Sequence, residues 1–131
     1  MSGVPRTLDF DQLTALRSLQ EPGQPDVLAE MIALFVNETS TQLATVTGST
    51  TTVVMQRAAH SLRGSCGAVG AERMVRLAEA LEEKADQPWA AAMLVPQLVE
   101  EFWRVRELLN PYRVDRAHGT RAGTPAKTRT A

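Results

Sequence analysis

The side chains able to do chemistry gather in residues 56–71, which read Q-R-A-A-H-S-L-R-G-S-C-G-A-V-G-A. On a helix, at about 100° per residue, His60 shares a face with Gln56, Arg57, Arg63, Gly64 and Gly67, while Val54, Ala58, Leu62, Ser65 and Val69 fall opposite. The histidine is therefore expected on the wet side of an amphipathic helix. An imidazole with a reference pKa of about 6.5 is largely unprotonated near neutrality and is a competent nucleophile. Arg63 and Arg57 lie about 60° to either side of it, where either can reach phosphoryl oxygens and offset charge in a loose transition state. A phosphoryl group on imidazole nitrogen sits on a high-energy P–N bond, so it can pass on to another acceptor. Gly64, one turn after His60, is worse than alanine in a helix by about 1 kcal/mol. The reading that explains it is clearance beside the ring for something large. Gly67 shares that side and equally suits a helix end. Gln56, one turn before His60, can hydrogen-bond the imidazole or a phosphate, and a merely solvated glutamine accounts for it as well.

The run His60-Ser61-Leu62-Arg63-Gly64-Ser65-Cys66, followed by Gly70-Ala71, resembles the signature of histidine-containing phosphotransfer (HPt) domains, roughly H-x-L-K-G-S-S with a glycine soon after. Leu77-Ala78-Glu79-Ala80-Leu81-Glu82 is similar to the family's next helix, and the likeness covers about 80 residues between Leu28 and Leu109. Arg63 stands where the family has lysine, keeping the charge but not the ammonium geometry. Cys66 stands where a second serine is usual. The resemblance implies a phosphorelay carrier rather than an enzyme. His60 would accept a phosphoryl group from a receiver-domain phospho-aspartate and pass it to another receiver, with Arg63 supplying charge and Gly64 access. It implies partners among the receiver domains of response regulators and hybrid histidine kinases, docking on the exposed faces of the second and third helices. The chain would bind no cofactor itself, and Mg²⁺ would sit in the receiver's acidic pocket.

The other candidates read as structural. Ser65 and Cys66 lie away from the His60 face with no base nearby. Glu79, Glu82, Glu83 and Asp86 read as a charged helix face, and Trp89 and Trp103 as packing. His118 reads as solvated. Two distant histidines and one cysteine give no metal-ligand cluster. Glycines spaced by three match neither the phosphate-loop nor the dinucleotide pattern, so no nucleotide pocket is expected.

A length of 131 residues suits one domain, and 44% hydrophobic residues suffice for a core. The N-terminus lacks an apolar targeting core and no apolar run reaches the ~20 residues of a membrane span. The lone Cys66 agrees with a reducing compartment, so a cytoplasmic, monomeric protein is expected. Five of the fourteen basic residues but only one of the fifteen acidic ones follow Asn110, leaving the body nine against fourteen, a net of −5. Such a body is a poor nucleic-acid surface.

Helical spacing predicts a short first helix opening at 8–13 with Phe10, Leu13, Leu16 and Leu19 as its stripe, capped by Asp9 or Asp11. A second helix is expected over 25–46, with Pro25 at its first position and Leu28, Met31, Ile32, Leu34, Phe35, Leu43 and Val46 inward. The third is expected over 51–68, the fourth over 71–84 and the fifth over 88–109, kinked or restarted at Pro96. Long helices on short links favour an all-α, antiparallel up-down-up-down four-helix bundle, with the first helix as a lid. Residues 1–112 would form this bundle and 113–131 a disordered basic tail. A chain opening on Met1 without a kinase or receiver segment reads as free-standing. The competing reading is a non-phosphorylated helical-bundle adaptor with His60 idle.

Overall fold

The computed structural model describes residues 4–113. Over that span the chain is all-helical: α1 (Phe10–Arg17), α2 (Val27–Gly48), α3 (Thr52–Ala68), α4 (Glu72–Lys84) and α5 (Pro88–Leu109), then a 3-10 turn at Asn110–Tyr112. Helices α2 to α5 close a ring in which α3 touches α2 and α4, and α5 touches α4 and α2. The basic tail expected over 113–131 lies, apart from Arg113, outside the described residues.

Local chemistry sets the helix starts. The side chains of Asp9, Asp26 and Thr51 each accept the N–H three residues on, satisfying one orphan donor of the first turn. Asp26 is the cap, so Pro25 precedes α2 instead of occupying its first turn. Pro88 does begin α5. Pro96 neither restarts nor divides α5, which runs unbroken through it with the proline ring exposed.

The core is built from the inward stripes. Ala58, Ala59, Leu62 and Cys66 of α3 are buried against Met74, Ala78 and Leu81 of α4, together with Ile32 and Phe35 of α2 and Leu98, Phe102 and Val105 of α5. Phe35 and Phe102 meet at 6.1 Å between ring centres, a tilted aromatic contact. Burial pushes the Cys66 thiol up to about 12, so it is a small apolar filler and not a nucleophile.

Several apolar residues expected inside face outward. Phe10, Leu34, Trp89, Trp103, Val54 and Leu19 are all exposed. The cause is register. Leu34 and Trp103 each sit one residue, and so about 100°, from the buried Phe35 and Phe102. Trp89 likewise adjoins Ala90 and Ala91, whose small side chains take the buried positions. The Trp103 ring is instead covered by the Arg106 guanidinium at 4.7 Å, a cation–π contact.

The segment before α2 is tied to the α3–α4 turn. The Asp9 N–H donates to the Gly70 carbonyl at 2.8 Å, the Gln12 side-chain amide to the Ala68 carbonyl at 2.9 Å, and the Arg73 N–H to the Arg6 carbonyl at 2.9 Å. The Arg6 guanidinium grips Glu72 through Nε at 3.3 Å and Nη2 at 2.8 Å, and that hydrogen bonding holds the Glu72 carboxyl below its ordinary range. Gly70 makes the turn with φ of +77°, and a Cβ there would stand 3.0 Å from the Asp9 Cβ.

Gly70→Ala is therefore expected to destabilise the fold by about 1–3 kcal/mol, through left-handed backbone strain together with crowding of Asp9. Urea unfolding checks this, and an unchanged midpoint would mean that the turn tolerates a side chain.

Candidate functional site

Helix α3 carries the site because its two faces differ so sharply. With Ala58, Ala59 and Leu62 sequestered, the residues between them must point the other way. His60 does so, its side chain 65% exposed at mid-helix. Arg57 and Gly64 are exposed beside it, Gly67 is exposed one turn on, and Gln56 and Arg63 are half-buried along the edge facing α4.

That edge holds a contact the sequence pattern did not single out. His60 Nδ1 lies 3.0 Å from Glu82 Oε2, and Arg63 Nη1 donates to Glu82 Oε1 at 3.2 Å. One carboxylate on α4 thus bridges the imidazole and the guanidinium, one oxygen to each. Gln56 Nε2 reaches the backbone carbonyl of Glu82 at 3.5 Å, so its amide is turned to α4 and not to the ring. Reading Glu82 with Glu79, Glu83 and Asp86 as one charged helix face is corrected accordingly: Glu82 is half-buried and doubly paired, while the other three are exposed. Arg63 is not a free cation awaiting an anion; it is already partnered. Arg57 makes no ion pair among the described residues.

The turn gives the signal that could have found Glu82. Two helices folded back across a short turn bring together residues equidistant from it. Cys66 and Met74, four residues before and after Gly70, touch at 3.9 Å. His60 and Glu82 stand eleven residues before and after Ala71. Counting outward from Ala71 places Glu82 opposite the histidine and counting from Gly70 places Ala80 there, so the count narrows the partner to one turn of α4 without fixing it.

On the other flank the surface is bare. Among the described residues, a Cβ built at Gly64 or at Gly67 would meet nothing within 4 Å. Gly64 also joins Ser61 and Ser65 in lining a shallow groove whose far wall is Asn37, Glu38, Thr41 and Gln42 of α2. The ring therefore sits between a charged edge toward α4 and an open, polar edge toward α2. No group of three or more His, Cys, Asp or Glu among the described residues could hold a metal ion, and none of their helices is long and apolar enough to cross a membrane.

Comparison with known proteins agrees with this geometry. The family model of the Hpt domain matches residues 30–110, which contain α3, α4 and every side chain of the site. Among curated proteins the chain is similar to histidine-containing phosphotransfer protein 2 of Arabidopsis thaliana, 33% identical over 79 residues that cover 56% of this chain and 51% of that protein. The chain spans about half the length of that curated relative.

Packing gives no reason for glycine at position 64. Gly64→Ala is expected to raise stability by about 0.5–1 kcal/mol through helix propensity and a less flexible unfolded chain. The urea midpoint should rise with an unchanged slope; a lowered midpoint would mean the glycine serves the fold.

Proposed function

We propose that this chain, which belongs to the Hpt domain family, is a phosphorelay carrier with His60 as its phosphoacceptor. The observation that carries the reading is a half-open one: a histidine 65% exposed at the centre of a helix, with nothing covering the glycine one turn away. In the forward step a ring nitrogen of His60 attacks the phosphorus of a receiver-domain aspartyl phosphate. An N–P bond forms, the P–O bond to the aspartate breaks, and the electron pair returns to that carboxylate. In the onward step the aspartate of a second receiver attacks the phosphohistidine and the pair returns to the ring.

The parts follow from their places. Gly64, with Gly67 beyond it, leaves room for the receiver's active-site loops. Arg63 and Arg57 supply positive charge to the phosphoryl oxygens, Arg63 by exchanging Glu82 for phosphate. Gln56 serves chiefly to tie α3 to α4. The receiver docks on the exposed faces of α2 and α3, across the groove between Gly64 and Thr41, and brings the Mg²⁺ in its own acidic pocket. The chain then needs no kinase site. We take the ring of four helices as an antiparallel up-down-up-down bundle spanning residues 1–112, acting as a cytoplasmic monomer. Receivers of response regulators and of hybrid histidine kinases are the partner class.

Incubation with a ³²P-labelled receiver tests this. The wild-type chain should gain an acid-labile, alkali-stable label, and His60→Gln should gain none. Label retained on His60→Gln would overturn the reading in favour of another acceptor, and an unlabelled wild type that still binds the receiver would favour an adaptor.

Gly64→Gln separates access from folding. Its helical circular dichroism should match wild type while transfer falls roughly tenfold or more, as expected when reacting groups are held apart. Undiminished transfer would remove the clearance role.

A further inference from the structure

Helix α5 carries an apolar surface that the carrier scheme leaves unused. Trp89, Met93 and Trp103 are 70%, 60% and 56% exposed. Exposed hydrophobic residues scattered singly are ordinary, but these share a stripe. Seven residues turn a helix by about 700°, some 20° short of two full turns, so Trp89, Pro96 and Trp103 lie nearly in line, with Met93 alongside. We infer that this stripe is a self-association surface: two copies of the chain pair through α5, antiparallel, about a two-fold axis at Pro96. The inference goes beyond the carrier reading and does not depend on it.

The spacing itself points to a second copy as the occupant. In a two-fold pair the same patch must serve both sides. An axis at Pro96 sets residues equidistant from it, on either side, against one another. Pro96 stands seven residues from each tryptophan, so Trp89 of one copy meets Trp103 of the other, twice. Tryptophan and methionine are the side chains enriched at such surfaces. Between them Ala92 and Pro96 are exposed and short, which lets the two helices approach.

The charges fit the same axis. Asp86 and Arg106 stand ten residues to either side of Pro96, so opposite signs meet at both ends of the contact. Glu107, exposed and in no ion pair among the described residues, stands eleven residues after it. It therefore arrives at the start of α5 in the other copy. That first turn has neither a side-chain cap nor an acidic residue, and a helix N-terminus favours an anion. A parallel pairing would instead set Glu107 against Glu107. The Trp103 ring is also held in advance, because the Arg106 guanidinium lies over it at 4.7 Å. Less side-chain freedom is then lost on contact.

The pairing leaves the histidine site open. Helix α5 touches α4 and α2, and α3 stands across the ring from it. Each copy thus keeps His60 on the side away from its neighbour. One helical stripe is smaller than the roughly 1,600 Å² of a standard stable interface, so the pair is weak. The monomer taken above as the acting form is its dissociated state at low concentration.

Sedimentation equilibrium of the full chain tests this between about 1 μM and 1 mM, the range over which so small an interface titrates. The mass should climb from 14.3 kDa toward twice that value. Trp103→Ser, with wild-type circular dichroism, should pair about tenfold more weakly or less. A short bismaleimide reads the register, with the buried Cys66 silent. Pro96→Cys should cross-link to itself. Trp103→Cys should not, because antiparallel pairing holds its two copies about 21 Å apart along the axis. A mass fixed at 14.3 kDa throughout would overturn the pairing and leave the stripe to a different protein. Pairing undiminished in Trp103→Ser, or self-linkage of Trp103→Cys, would overturn it equally by placing the contact elsewhere or in parallel.

Discussion

The packing of α3 on α4 constrains everything else in this molecule. Ala58, Ala59, Leu62 and Cys66 on one helix and Met74, Ala78 and Leu81 on the other are buried, and several of them are small enough to let the helix surfaces approach closely. A helix rotates by about 100° per residue, so burying residues 58, 59 and 62 leaves position 60 no choice but water. The exposure of His60 is thus a consequence of the core and not a separate feature of the surface. The same contact fixes the register across the turn. Shifting α4 by one residue would carry Glu82 about 100° away from the ring.

The site is correspondingly sparse. Its charged contacts lie at a water-exposed edge, where ion pairs contribute about 0–1 kcal/mol, and no buried cavity encloses the imidazole. An enzyme of this openness would be poor at excluding water or holding a small substrate. A carrier has no such requirement, because phosphoryl transfer calls mainly for alignment and charge compensation, and both can be completed by the partner that delivers the group. On the reading proposed above, the chain contributes a nucleophile, cations beside it, and a bare patch of backbone. The free energy kept out of the site is the helix propensity forgone at Gly64, which no neighbour among the described residues recovers.

Much of this was legible in the sequence, and for a physical reason. Helix α3 has alanines, one leucine and a cysteine at buried spacing and histidine, arginine and glycine at the complementary spacing, so its period alone separates the two faces. The ends of α5 at Pro88 and Asn110 were likewise local events. What the sequence hid was tertiary. Leu34 and Trp103 look like core residues by type, but a large residue one step off the stripe is displaced by its neighbour, Phe35 or Phe102, whose phase fits the ring of helices better. Pro96 reads as a kink or a restart, yet α5 continues through it without restarting, at an exposed position. Glu82 is invisible to any window shorter than the hairpin itself, because its partner lies 22 residues away and the two meet only through the turn.

That turn explains why the N-terminal segment is more than a lid. The helix–helix register depends on where α3 stops and α4 begins, and a stopped helix leaves carbonyls without partners. Gln12 takes the Ala68 carbonyl, and the Asp9 N–H takes that of Gly70, whose left-handed backbone points it outward. Arg6 then anchors the first turn of α4 through Glu72, while its own carbonyl receives the Arg73 N–H. Residues 6–12 lie before the stretch matched by the family model, yet they satisfy the backbone at the one place where a slip would uncouple His60 from Glu82. Their contribution to the site is therefore made at a distance, by holding the pivot from which both helices are measured.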